Sequence, residues 1–199
     1  MMFYSSKAPL LSRFTAGLVA CLALLSPTTG ATQDNGWQLW QQPGVHAIMR
    51  HANAPGFGDP EGFTLGQCTT QRNLDETGRE DARALGRKIK QRGIEFTAIY
   101  SSQWCRCLET AKEMNVGPVA ELPALNSFFQ DRSNSSPQTK ALKAHASALK
   151  PTDKVLYVTH QVNTTALTGV FPAAGEVVLF KIGSQGEVQV LGRLDPESL

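Results

Sequence analysis

No run of this sequence is apolar for long enough to cross a bilayer, no segment repeats, and no low-complexity tract interrupts it. Those absences exclude a membrane-spanning bundle, a solenoid and a disordered linker. Also missing is any G-x-S-x-G stretch, so a serine-hydrolase elbow has no support. Neither Cys105 nor Cys107 has an arginine at the C-x5-R spacing with which a thiolate and a guanidinium share one phosphate-cradling loop. Charge is modest at 18%, while 41% hydrophobic residues suffice for the core of one globular domain.

The first thirty residues differ from the rest. Lys7 and Arg13 precede an apolar stretch from Phe14 to Leu25, which ends at Ser26-Pro27 and Thr29-Gly30-Ala31. A basic start, a short apolar run and small residues at a cleavage site predict a secretory signal over residues 1–31, leaving one domain over 32–199. Leu18-Val19-Ala20-Cys21 resembles a lipobox, so lipid attachment at Cys21 ranks second. Cleavage removes Lys7 and Arg13 from the 19 basic residues and no acid, which leaves 17 charges of each sign and a net charge of zero. With no basic block left, neither nucleic acid nor an anionic membrane surface is expected as a partner. The expected location is the periplasm or the medium, with no membrane span once the signal is gone.

Of four cysteines, Cys68, Cys105 and Cys107 survive cleavage. Export to an oxidising compartment favours closure of a pair. A metal fragment would need a fourth ligand nearby, and none is apparent. One disulfide from Cys68 to Cys105 or Cys107 is expected, with Cys107 taken as the partner and the odd thiol buried.

Residues 32–43 are polar with Gly and Pro and read as a lead-in. Beyond them, short apolar runs alternate with amphipathic segments. Strands are predicted at Val45–Met49, Thr97–Tyr100, Val155–Val158, Gly175–Ile182 and Val188–Leu191. A helix starting at Asp75 or Thr77 carries Ala82, Leu85 and Ile89 on one face and stops at Arg92-Gly93; residues 104–114 and 138–149 are helical by the same pattern. Strands alternating with helices predict an α/β sandwich around a mostly parallel sheet. The connection from Ala52 to Asn73 is long for such a unit, and long loops after strand ends are where α/β proteins build sites.

Three stretches fall at the C-terminal ends of predicted strands: Met49-Arg50-His51-Ala52-Asn53, Ser101-Ser102-Gln103-Trp104-Cys105-Arg106 and Val158-Thr159-His160-Gln161. In a parallel sheet those ends share one edge, so Arg50, His51, Arg106 and His160 converge. Two guanidiniums and two imidazoles suit a tetrahedral dianion: arginine supplies forked, permanently charged donors. An imidazole accepts a phosphoryl group or donates to its oxygens. His46 and His145 have no such setting and read as structural. Trp104, Phe128 and Phe129 suit a cleft wall or the core equally. Phe63 and Gly56–Gly66 read as either a flap or an inert loop.

At these residues the chain resembles branch one of the histidine phosphatase superfamily, which includes the phosphoglycerate mutases. Arg50-His51 is similar to its RHG signature. Asn73-Leu74-Asp75-Glu76-Thr77-Gly78 with Ala82, Leu85 and Gly86 resembles its L-T-x-x-G-x-x-Q-A helix start. Tyr100-Ser101-Ser102, Arg106 and Glu109-Thr110-Ala111 resemble its Y-S-S-x-x-x-R-x-x-E-T-A segment, and Thr159-His160 its (G/T)-H motif. The resemblance runs from about Val45 to the C-terminus. It implies a phosphoglycerate mutase-like three-layer α/β/α sandwich and a phosphatase with neither metal nor organic cofactor. It further implies His51 as nucleophile, Arg50 and Arg106 on the phosphoryl oxygens, and His160 completing the pocket. Asn53 and Gln161 are the expected further substrate donors, and a small phosphorylated substrate or a phosphoprotein the expected partner.

Two positions depart from that pattern. Ala52 replaces the signature glycine, a small change if the backbone there stays in an ordinary region. Ser127, in Leu125-Asn126-Ser127, stands where the family commonly has a proton-donating Glu, and a hydroxyl protonates an alkoxide poorly. Asp131 is the nearest replacement in sequence, with Asp59 and Glu61 on the long loop as alternatives. The same departure leaves open a phosphohistidine-type substrate that needs no acid, or a degenerate module that binds phosphate or glycan.

Overall fold

The computed structural model describes residues 1–3 and 29–195. Most of the segment read as an export signal therefore lies outside the described residues. Six strands form one sheet in the order β3-β2-β4-β1-β5-β6. They are β1 (His46–Arg50), β2 (Ala98–Ser101), β3 (Val119–Glu121), β4 (Val155–Thr159), β5 (Val177–Ile182) and β6 (Val188–Leu194). β1, β2, β3 and β4 pair in parallel, whereas β5 is antiparallel to both β1 and β6. Five strands thus share a direction and β5 alone is reversed. That is the mostly parallel sheet the alternating pattern predicts.

Side-chain alternation along the central strands explains the layers. Ala47 and Met49 of β1, with Leu156 and Val158 of β4, pack into one core together with α2 (Glu76–Gln91) and α3 (Cys105–Met114). Ile48, Tyr157, Val178 and Phe180 point the other way, into a second core with α4 (Ser135–Ser147) and α5 (Gln161–Thr168). A strand buried on both faces must be apolar throughout, and all five residues of β4 are buried.

The lead-in expected over residues 32–43 is instead largely helix: α1 spans Thr29–Gln41. Trp37 and Trp40 stack with centroids 5.8 Å apart and are buried against the first core. Two indoles at helical spacing outweigh the surrounding Gly and Gln, since each buries roughly 150–250 Å². The Lys154 ammonium donates to the Trp40 and Gln42 carbonyls and so closes the end of this helix.

α2 begins where Asp75 accepts from the Gly78 amide at 2.7 Å and ends at Arg92, as its caps predict. Glycine is required twice on this helix. A Cβ on Gly78 would stand 2.2 Å from the Asn53 carbonyl, and one on Gly86 1.9 Å from the Met114 carbonyl. The first contact seats the loop after β1; the second seats α3.

Candidate active site

The parallel register sets Arg50 beside Thr159 and Ser101 beside Val158. The next residues of the three strands, His51, Ser102 and His160, therefore emerge together on one edge of the sheet. Arg106 joins them from the first turn of α3, and Arg50, His51, Arg106 and His160 line a common pocket. The convergence read from the sequence is present.

His51 is 2% exposed, and its Nδ1 lies 2.8 Å from the Ala52 carbonyl oxygen. A carbonyl can only accept, so Nδ1 carries the hydrogen and Nε2 keeps its lone pair. Burial, then the charge of Arg106, holds the imidazole well below its usual value of 6.5, with Arg50 and Arg72 adding to the effect. It is therefore neutral across the ordinary working range. His160 is held low in the same way, by burial and then Arg106. Its Nδ1 faces Nη2 of Arg106 at 3.3 Å, where the guanidinium must donate, so the hydrogen sits on Nε2 and goes to Ser102 Oγ at 2.9 Å. Arg106 thus fixes the tautomer of His160, and Ser102 receives its hydrogen.

A pH dependence follows from these environments. A folded-state imidazole held below 6.5 stabilises the fold fully above the unfolded value, and that contribution is lost as pH falls toward the folded values. For the free enzyme, kcat/KM should hold its plateau through pH 6.5 and decline only well below it, as a pH–rate profile with an aryl phosphate would record. A half-point at 6.5 would contradict the buried environment of His51.

Three guanidiniums crowd the pocket. Arg72, which no motif singled out, enters from the long loop: Nε donates to the Gly58 carbonyl at 2.7 Å and Nη1 to that of Ala54. Burial and then Arg106 lower both Arg50 and Arg72 from their ordinary values. Nε of Arg50 and Nε of Arg106 are buried without any hydrogen-bond partner. Unsatisfied buried N–H donors of that charge call for an anion with several acceptor oxygens.

Among the described residues one carboxylate reaches this cationic seat, and it is Asp59. Its Oδ1 accepts from Nη1 of Arg106 at 2.6 Å and its Oδ2 from Nη2 at 3.0 Å, with both side chains almost fully buried. The Trp104 indole donates to Oδ2 at 3.1 Å. Asp131, the nearest acid in sequence, lies elsewhere. Its carboxylate caps a single 3-10 turn, taken by Ser133 and Asn134 at 2.5 to 3.0 Å, outside the pocket lining. Proximity to Ser127 along the chain does not carry over into space. Ser127 itself lines the pocket.

Asn53 is also displaced from its expected role. Its amide donates to Asp75 at 2.9 Å, the same carboxylate that caps α2, so it ties the loop to the helix and does not line the pocket. Gln161 does line it. Ala52 is buried and has no positive φ, so the replaced glycine introduces no strain; its N–H donates to Thr110 at 3.0 Å.

Around the mouth stand Phe57, Phe129 and Phe171. Phe57 and Phe171 are 87% and 70% exposed, and Phe57 meets Phe129 edge-on at 5.0 Å. Phe128 and Trp104 are buried, and Phe63 packs on Trp104, which joins the long loop to the core.

The disulfide links Cys68 to Cys105, correcting the expected partner Cys107. Cys105 opens α3 and faces the long loop. Cys107 stands two residues on, about 200° around the helix axis, facing the sheet, with Sγ against the Thr159 carbonyl at 3.4 Å. It is a free buried thiol, its pKa pushed up to about 12 by burial. Cys68→Ser should lower stability by about 2–4 kcal/mol, read as the free energy of urea unfolding. An unchanged value would mean that the bridge does not anchor the loop.

The model of the histidine phosphatase superfamily (branch 1) matches residues 47–132, a span that holds Arg50, His51, Asp59, Arg72 and Arg106. Over that region, less than half of the chain, the sequence is similar to that superfamily. No curated protein matches the chain at a significant level. Solved structures share the fold at low identity. The protein histidine phosphatase SixA, complexed with tungstate, is 17% identical over 77% of this chain and 98% of its own, with a TM-score of 0.57. A histidine-to-alanine mutant of a phosphoserine phosphatase from Entamoeba histolytica, in complex with phosphoserine, is 14% identical over 78% and 98%, with a TM-score of 0.56. Mycobacterial glucosyl-3-phosphoglycerate phosphatase is 14% identical over 76% and 98%, with a TM-score of 0.52. All three carry the phosphoglycerate mutase-like sandwich found here.

Proposed function

We propose that this protein is an exported, metal-independent phosphatase that passes a phosphoryl group from a monoester to Nε2 of His51 and then to water. The observation that carries this reading is the tautomer of His51. Nδ1 is committed to the Ala52 carbonyl, so a neutral imidazole holds its Nε2 lone pair within a pocket of three guanidiniums. Arg50 and Arg106 supply unpaired donors for the phosphoryl oxygens, and charge stabilisation there is the main source of rate enhancement in phosphoryl transfer. His160 takes a place beside them, oriented by Ser102.

Export is supported by the basic and apolar N-terminus and by a disulfide of the kind that persists in oxidising compartments. Cleavage near Ala31 removes only the start of α1 and leaves Trp37 and Trp40 in place. Among the described residues no helix is long and apolar enough to cross a membrane. Recovery from the periplasm with an N-terminus near Thr32 tests this part; a retained N-terminus or a lipid on Cys21 overturns it.

The chemistry is tested by hydrolysis of p-nitrophenyl phosphate in the presence of a chelator. Turnover is expected; a folded protein that binds phosphate yet never turns over would favour a binding module. Ser127 at the pocket wall, in place of a donor, favours a second reading in which the substrate is phosphohistidine or another activated phosphoryl group. A series of leaving groups separates the two.

A further inference from the structure

Among the described residues the pocket pairs a nucleophile and its guanidiniums with a single carboxyl group, and that group comes from an element where the family resemblance provides no acid. Asp59 sits on the loop after β1, between Gly58 and Pro60, with Gly56 at φ +96° and Gly58 at φ +68° leading into it. It is anchored from two sides at once: Arg106 and Trp104 of the α3 region hold both oxygens, and the Arg72 amide, from its own loop, donates to Oδ1 at 3.3 Å. Arg72 clasps the same turn through the Gly58 carbonyl, and the Cys68–Cys105 bridge ties the loop to the start of α3. So much fixation of one exposed-type residue is costly to build for a surface loop, and it places the carboxyl group on the guanidinium that a phosphoryl group must also use.

We propose that Asp59 is the proton donor to the leaving group, made ready by the substrate itself; this rests on the reading of His51 as nucleophile. Paired with Arg106, Asp59 carries no proton. Burial is the largest influence on it and pushes its pKa up, but the hydrogen bonds and charge of Arg106, with Trp104 and the Arg72 amide, together bring it below the usual range. A phosphoryl dianion drawn to Arg106 takes over donors that Asp59 had held. Burial then acts without its main counterweight, and the added negative charge acts in the same direction. The carboxyl group takes up a proton from solvent. The Trp104 indole on Oδ2 and the Arg72 amide on Oδ1 continue to hold the carboxyl group in place.

Two steps follow, each balanced. Nε2 of His51 attacks phosphorus, the bond from phosphorus to the ester oxygen breaks, and that oxygen takes the Asp59 proton, giving an alcohol, phosphohistidine and the Asp59 carboxylate. Water then attacks the phosphohistidine and gives its proton to Asp59 as the bond from phosphorus to nitrogen breaks. Inorganic phosphate leaves, Asp59 releases its proton to solvent, and the carboxylate returns to Arg106 as the ion pair.

The test compares Asp59→Asn with the wild type on p-nitrophenyl phosphate, whose leaving group needs little protonation, and on an alkyl ester such as glycerol phosphate, whose leaving group needs it fully. A lost donor should cost the alkyl ester about 10²-fold or more beyond the loss on the aryl ester, within the range of acid catalysis by a positioned side chain. A mere loosening of Arg106 would lower both equally, because both substrates present the same phosphoryl group. Equal losses therefore overturn the proposal. Wild-type turnover of the aryl ester alone also overturns it, and favours the activated-phosphoryl reading instead. If the folded wild type hydrolyses neither ester, the His51 reading fails and this one with it. Should Asp59→Asn fold poorly, Asp59→Glu, which keeps the carboxyl group, is expected to recover the alkyl ester in preference to the aryl one; recovery of both alike counts against the donor role.

Discussion

Replacing His51 with alanine should lower kcat/KM for p-nitrophenyl phosphate by about 10⁴-fold or more, the scale seen when the nucleophile of a covalent mechanism is removed. The loss should fall on turnover and not on the fold. The backbone at this position is held independently of the ring, since the His51 amide donates to the Thr159 carbonyl at 2.8 Å and the Gly175 amide donates to the His51 carbonyl at 3.0 Å. Arg50, Arg72 and Arg106 stay in place, so inorganic phosphate should still bind the variant. Retained binding with lost turnover is the pattern that separates a missing nucleophile from a collapsed pocket. Steady-state kinetics beside phosphate titration of the same preparation would record it.

The second large effect concerns stability. Gly86→Ala should destabilise the protein by about 3 kcal/mol or more, at or beyond the upper end of ordinary overpacking. The added methyl would meet the Met114 carbonyl oxygen at 1.9 Å and its carbon at 2.7 Å, both backbone atoms that no rotamer change can move. α2 and α3 would have to part, and with them the seat of Arg106. Against this, alanine gains about 1 kcal/mol in helix propensity over glycine, too little to offset the clash. For a domain of this size the net change corresponds to a fall in Tm of roughly 6–12 °C. Differential scanning calorimetry is the measurement, and an unchanged or raised Tm would show that the helices are not packed as closely as described.

What the sequence disclosed depended on how each residue is held. β1, β2 and β4 are buried on both faces or nearly so, and such strands advertise themselves as short apolar runs. Arg50, His51 and His160 terminate two of those runs, and Arg106 follows the third, so the sheet's register alone brings them together. β3 is three residues of a half-exposed edge and left no apolar signature. α5 was hidden for a different reason. Its Asn163, Thr164, Thr165 and Thr168 are poor helix formers, and it is kept helical by tertiary packing, with hydroxyls turned back onto preceding carbonyls at Thr164 and Thr168.

The site was legible where chemistry coincided with a strand end and opaque where it came from a loop. Arg72 belongs to no periodic segment; only the fold of Gly56–Gly66 and its tie to α3 bring it inward. Asn53 follows the histidine closely enough to suggest a pocket donor, yet the close approach of Gly78 turns its amide to Asp75. Asp131 and Asp59 show the same lesson from opposite sides. The acid near Ser127 in sequence caps its own turn, while one far from it in sequence is the carboxylate that meets Arg106. Between Cys105 and Cys107 the choice rested on helical phase, which two-residue spacing reverses and composition does not reveal.

The central claim is that the phosphoryl group passes through His51. Wild-type protein mixed with p-nitrophenyl phosphate, quenched within the first turnovers and digested for mass spectrometry should carry one phosphoryl group on the peptide containing His51, stable in base and lost in acid. Finding that adduct on His51, and none in His51→Ala, is what this account predicts. Steady turnover with no phosphohistidine at any quench time, or the adduct on another residue, would contradict it.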